Sequence, residues 1–161
     1  MNQTELEKAV AAHPFFSGLK EDHTRLLADC AIRIHFDRDQ VIFRKGETAN
    51  RFYLIESGTV ALESVSGGAE PVTIDVINGG ELLGWSWLFP PYVWHFTARA
   101  TEPTAAIFFY GTVLRECCES DQALCLELFK RMSEVMTRRL QAARVRLVAA
   151  YGAEDKTTAA K

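Results

Sequence analysis

Between Ile32 and Gly111 the chain is divided into short apolar runs of strand length, cut by Gly, Asp or Asn roughly every ten residues. The runs read QVIFRKG, RFYLIESG, TVALESV, PVTIDVING, WHFTARA and TAAIFFYG. Just before them, Ile32, Ile34 and Phe36 alternate with Arg33 and His35, the period of a half-buried strand. Gly58 and Gly67-Gly68 fall where hairpins should turn, and Gly79-Gly80 marks a further reversal. Strands this short and this evenly spaced leave few options: a sandwich, a jelly roll or a barrel.

The flanks follow a helical period instead. Thr4-x-x-Glu7 has the form of a capping box and should open a short helix carrying Leu6, Val10 and Phe15. A second helix is expected to place Leu26, Leu27 and Cys30 on one side. After Gly111 a short helical piece spans Thr112–Glu119. Ser120-Asp121 then reads as an N-cap for a helix ending near Tyr151, about 46 Å long at about 1.5 Å per residue. The stripe along it is Phe129, Met132, Met136, Leu140, Ala143, Leu147 and Ala150, in steps of three and four. So narrow a seam on so long a helix fits pairing with a second copy, whereas packing on its own barrel explains only the first half. The expected organisation is N-terminal helices over 1–31, a β-barrel over 32–111, C-terminal helices over 112–152 and a disordered tail over 153–161.

Composition narrows the function classes. A chain of 161 residues, 48% hydrophobic and 24% charged, can bury a core and is neither fibrous nor disordered. A formal net charge of −3 gives no general drive toward nucleic acid or an anionic membrane. No run has the length of a membrane span and the start lacks a signal-peptide layout, so a cytoplasmic location without membrane association is expected. Four cysteines, Cys30, Cys117, Cys118 and Cys125, show no disulfide-scaffold or zinc-ligand spacing and read as reduced thiols. His13, His23, His35 and His95 are scattered, and no nucleophile elbow or phosphate loop is present. No catalytic residue and no metal site is expected.

The order of elements and six short strings together resemble the cyclic-nucleotide-binding domain, the sensor half of catabolite-activator-type bacterial regulators. The strings are Phe16-Ser17-Gly18-Leu19, Val41 to Glu47, Phe52 to Gly58, Gly80-Glu81-Leu82-Leu83-Gly84, Ala98-Arg99-Ala100 and Met136 to Gln141. The resemblance implies a mainly β fold: a double-stranded β-helix, or jelly-roll, barrel with flanking N-terminal helices and a long C-terminal interface helix. In such domains a Glu directly after the last glycine holds the ribose, and an Arg about ten residues later pairs with the cyclic phosphate. A hydroxyl residue and a small one follow that Arg. Here those positions hold Trp85, Trp94, His95 and Phe96. Arg99 lies an odd number of positions from Trp94 and should face the other way. Charge-assisted hydrogen bonds contribute about 1.5–3 kcal/mol each, so losing two or three should weaken a cyclic nucleotide a thousandfold or more.

Aromatics replace the missing polar groups. Trp85, Trp87, Tyr92, Trp94 and Phe96 share one short segment, and all three tryptophans of the chain are among them. Either they fill the barrel, or they line a pocket for an apolar or aromatic ligand at Gly84, Trp85, Ser86, Trp94, His95 and Phe96. The expectation is therefore a non-enzymatic regulatory or sensor module that takes a non-nucleotide ligand or acts through a protein partner. The expected assembly is a homodimer through Phe129, Met132, Met136, Leu140, Ala143 and Leu147. Three alternatives stay open: a cyclic-nucleotide receptor with an unorthodox site, a ligand-free dimerisation module, and a haem or redox sensor using His95 or a cysteine. The related regulators continue past the long helix into a helix-turn-helix and this chain stops, so no direct DNA binding is expected. Lys130, Arg131, Arg138, Arg139, Arg144 and Arg146 read as solvated flanks of the seam, interrupted by Glu127 and Glu134.

Overall fold

A computed structural model describes residues 3–65 and 70–158, with side chains described for 4–65 and 70–152. Two compact units result, and their boundary lies within the long helix, after Cys125.

Eight strands form two antiparallel four-stranded sheets. They are β1 (Ala31–Phe36), β2 (Val41–Phe43), β3 (Arg51–Ser57), β4 (Thr59–Ser64), β5 (Val72–Asn78), β6 (Leu82–Leu83), β7 (Thr97–Ala100) and β8 (Thr104–Tyr110). One sheet runs β1-β8-β3-β6 and the other β2-β7-β4-β5, the crossed order of a jelly roll. The apolar runs of the sequence each supply a strand, and β6 adds the Leu82-Leu83 pair. Inward residues of both sheets make one core, with Tyr53, Ile55, Val60, Leu62, Ile77, Leu83, Ala98, Ala100, Ala106 and Phe108 among them.

Gly58 shows why one turn needs glycine. Its φ is +92°, and a Cβ there would collide with Thr104 and lie 2.6 Å from the Pro103 carbonyl oxygen. The proposed Gly67-Gly68 turn lies outside the described residues.

The first strand departs from its expected pattern. Ala31 and Phe36 are buried at its ends, while Ile32 is 43% exposed. Phe36 is in the core and Ile34 packs against it, so the alternation holds for these two and fails only at Ile32; strand β1 pairs only with β8 and is an edge. Arg33, on the opposite face from Ile32, makes a bidentate pair with Glu56 at 2.6 and 2.7 Å.

The helices are α1 (Gln3–Ala12), α2 (Glu21–Asp29), α3 (Gly111–Ser120) and α4 (Gln122–Thr158). Thr4 lies inside α1 instead of capping it, because the helix begins at least one residue earlier. In α2 the buried residues are His23, Thr24, Leu27 and Ala28, and Leu26 is exposed. The covered face is thus rotated from the expected one: residues three and four apart, not adjacent leucines, share a helical face. Asp121 does act as a cap, its Oδ1 accepting the Leu124 N–H at 3.0 Å. That backbone bond is the first cause holding the Asp121 carboxyl below its usual range. Helix α4 continues to Thr158, past the end expected near Tyr151 and into the segment expected to be disordered. Gly152 does not stop it, since a single glycine weakens a helix by about 1 kcal/mol without breaking it.

His13 joins the N-terminal segment to the barrel. It caps the 3-10 turn Pro14–Phe16 and is buried, its Nδ1 accepting the Phe15 N–H at 3.2 Å. The ring is therefore neutral, with its proton on Nε2, which donates to the Ile55 carbonyl at 3.1 Å. Burial pushes the His13 pKa below its ordinary 6.5, against the bond to Ile55 and the charge of Glu56. With the folded value below the unfolded one, this stability is complete above about pH 6.5 and is lost as pH falls through the folded value. Denaturant titrations from pH 8 down to pH 5 should show declining stability. His13→Gln should remove most of that decline while lowering stability at pH 8 by about 1–3 kcal/mol.

Candidate functional site

The segment after β6 is built around Gly84 and Trp94. Gly84 has φ +90°, and a Cβ there would sit 2.8 Å from the edge of the Trp94 ring. Only a glycine lets the backbone approach the indole so closely. The indole is 5% exposed and stacks on Phe43, centroids 3.8 Å apart and planes 12° apart. Phe43 stacks in turn near Tyr53, and Tyr53 meets Phe36 and Phe108. Trp94 is thus a member of the barrel core.

Backbone pairing fixes that placement. The Gly46 N–H donates to the Trp94 carbonyl at 2.8 Å, and the Trp94 N–H to the Glu47 carbonyl at 2.9 Å. The Ala49 N–H donates to the Tyr92 carbonyl at 2.7 Å, and Thr48 bridges Val93. Residues 93–94 therefore lie against residues 46–49, entered from Tyr92 at φ +55°. Successive side chains along such a pairing alternate in direction, so Trp94 points in while His95 is exposed.

The three tryptophans do not share one environment. Trp87 is 2% exposed and stacks on Phe52 at 5.7 Å. Phe52 also stacks on Phe109, and Phe109 meets Phe16 from the N-terminal segment. Phe52 and Phe109 lie on the outward register of β3 and β8, so Trp87 belongs to a layer beneath the N-terminal segment, outside the barrel. Its carbonyl accepts from Arg115 at 2.7 Å, while its Nε1 is buried with no hydrogen-bond partner among the described residues. Trp85 and Ser86 are half-buried. Phe96 is 37% exposed. Of the six positions expected to form the site, Gly84 and Trp94 come together, and His95 and Phe96 lie on the surface.

Arg99 lies on β7 between the buried Ala98 and Ala100 and faces outward. It binds Glu63, with its Nε 3.1 Å from Oε1, and its Nη1 lies 3.0 Å from the Asp39 carboxylate. These bonds raise the Arg99 pKa, Glu63 first. Two carboxylates thus hold the first arginine after the aromatic segment on the outer face of β7.

A different cation faces inward. Arg51 shares the inward register of β3 with Tyr53 and Ile55, and its guanidinium lies 5.5 Å from the Phe108 centroid and 5.8 Å from that of Tyr110. It also bonds the Tyr53 hydroxyl, whose pKa is nonetheless raised because burial outweighs the cation. The sequence reading passed over Arg51 because it lies far from the aromatic segment. Its spacing of two from the inward-facing Tyr53 was the available signal.

On α4, Phe129, Leu140, Ala143 and Leu147 are exposed, Met136 is half-buried and Met132 is buried. Val145, Val148 and Tyr151 add to the exposed apolar surface. Among the described residues no helix is long and apolar enough to cross a membrane, and no group of three His, Cys, Asp or Glu side chains is placed to hold a metal ion.

Filling by Trp94 has a measurable consequence. Trp94→Ala should destabilise the domain by about 3–5 kcal/mol in urea denaturation, the range for deleting a buried aromatic. A loss below about 1 kcal/mol would mean that the ring is not packed as described.

Residues 33–121 match the family model for the cyclic nucleotide-binding domain. A cGMP-dependent protein kinase of Caenorhabditis elegans is 34% identical over 70 residues, which is 43% of this chain and 9% of the kinase. The chain thus matches less than a tenth of that relative. Among solved structures, a putative cyclic nucleotide-binding protein from Geobacter metallireducens is 26% identical with a TM-score of 0.72, covering 87% of this chain and 98% of the other. A cyclic nucleotide-binding domain from Methylobacillus flagellatus has a TM-score of 0.78 over 92% of this chain and 83% of the other, at 17% identity.

Proposed function

The chain belongs to the cyclic nucleotide-binding domain family and is a regulatory sensor domain of that kind; we propose that it does not read a cyclic nucleotide, because its own Trp94 fills the place of the ligand. Regulation then runs through association with a second copy or a protein partner, without enzymatic chemistry and without direct DNA contact. The observation that carries this reading is the Trp94 indole lying between Phe43 and Gly84. A cyclic phosphate is an anion that needs donors aimed at it, and burying one without them is strongly unfavourable. The site offers an indole face and a phenyl face there instead. Admitting a nucleotide would first require expelling a stacked aromatic pair, worth about 0.5–1.5 kcal/mol beyond its buried area.

Cyclic AMP and cyclic GMP should therefore bind no more tightly than high micromolar in calorimetry at several temperatures. A low-micromolar constant for either one contradicts the reading.

The self-association half rests on α4. Its exposed face carries Leu140, Leu147, Val148 and Tyr151, an apolar surface that a second copy of the same helix would cover in antiparallel or parallel register. Light scattering should report a dimer at micromolar concentration. Leu140→Glu should convert it to a monomer with an unchanged barrel melting profile. A monomeric unmodified protein removes this half of the proposal.

A second reading is favoured by Arg51. A small aromatic acid could displace the Trp94 ring and set its carboxylate against the Arg51 guanidinium beside Phe108. A saturable change in tryptophan emission on adding aromatic acids, lost in Arg51→Gln, would support this reading over the filled barrel.

A further inference from the structure

Over residues 135–152, helix α4 carries four arginines, Arg138, Arg139, Arg144 and Arg146, and no Asp or Glu. The whole chain has a formal net charge of −3, so this stretch runs against the charge of the rest. Residues 140–152 are all exposed, the large apolar side chains included. Successive helical residues turn by about 100°, which places Leu140, Ala143, Leu147, Ala150 and Tyr151 in one sector about 100° wide. Arg144 falls just beyond one border of that sector, and Arg139 and Arg146 fall beyond the other. The sector itself holds no charge, and its single polar atom is the Tyr151 hydroxyl at its edge.

An exposed apolar strip bordered on both sides by long cationic side chains suits a helix lying in a lipid–water interface. The strip sinks to the acyl boundary while the arginine stems follow it and return their charges to the headgroups. Crossing the bilayer is a different matter, since no helix among the described residues is long and apolar enough for that. The same pattern disfavours a protein on this strip. It has no buried polar group to fix the register of a partner helix, and a second copy would set arginine borders against arginine borders in either direction. A planar anionic surface needs no register and meets both borders at once.

We propose that residues 140–152 of α4 dock on a membrane surface containing acidic phospholipid, with Leu140, Leu147 and Tyr151 inserted and Arg144 and Arg146 on the headgroups. The self-association reading uses the same leucines, so lipid and a second copy exclude each other. The lipid site stands whether or not the dimer forms. Whole-chain charge gives no sign of it, because the acidic residues that outweigh these arginines lie elsewhere in the sequence.

The intact protein, kept below the micromolar range, is sedimented with sucrose-loaded vesicles. Phosphatidylcholine with about 30% phosphatidylserine should carry it down at about 0.1 M salt, and binding should fall steeply toward about 0.5 M. Pure phosphatidylcholine should not carry it down. R144Q/R146Q should weaken binding at least about tenfold. L147S leaves the charge untouched and should weaken it at least about fivefold through lost insertion. Thermal melts confirm that each variant keeps a folded barrel. Light scattering separates this site from self-association: R144Q/R146Q should dimerise no more weakly than the unmodified protein, because border repulsion is removed, whereas L147S should weaken both. Equal sedimentation with and without phosphatidylserine, no sedimentation at low salt, or binding unchanged by L147S overturns the proposal. Equally tight binding to soluble polyglutamate would assign the surface to an acidic protein and overturns it as well.

Discussion

The face-to-face contact between Trp94 and Phe43, closed off by Gly84, is the interaction on which the rest of the site depends. The contact exists because two local constraints coincide. Glycine at 84 leaves room for the edge of an indole, and the hydrogen bonds of residues 92–94 to residues 46–49 present that indole inward. With either constraint removed, the barrel end would be open or would hold a different side chain. The same contact extends through Tyr53 and Phe108, so the plug is continuous with the core.

The charged groups are consistent with that closure. Arg33 is held by Glu56, and Arg99 by Glu63 and Asp39, so the outer faces of both sheets absorb guanidinium groups that an anion site would need inside. These part-buried pairs fix where the charge points. Of these three arginines Arg51 is on the interior register, and it lies over aromatic rings, an environment that suits a cation without requiring an anion. The barrel retains the family's architecture.

Much of this was legible in the chain. Period-two runs between glycines gave the strands, the steps of three and four gave α4, and Asp121 was readable as its cap. The outward direction of Arg99 was also visible, because it follows from strand alternation alone. What stayed hidden depends on contacts distant in sequence. Trp87 and Trp94 lie seven residues apart in one aromatic segment, yet they pack on opposite sides of a sheet, because one meets Phe52 and the other Phe43. Ile32 shares the register of Ile34 and Phe36, yet only those two meet the core.

The central claim, that Trp94 occupies the ligand position, can be tested directly with fluorine-labelled tryptophan. Three resonances are expected, one for each indole, and each can be assigned by a single Trp→Phe change. The account expects the Trp94 resonance to be insensitive to a soluble paramagnetic quencher and unmoved by millimolar cyclic AMP or cyclic GMP, while Trp85 broadens with the quencher. A Trp94 resonance that broadens as readily as that of Trp85, or that shifts saturably with a cyclic nucleotide, would contradict it.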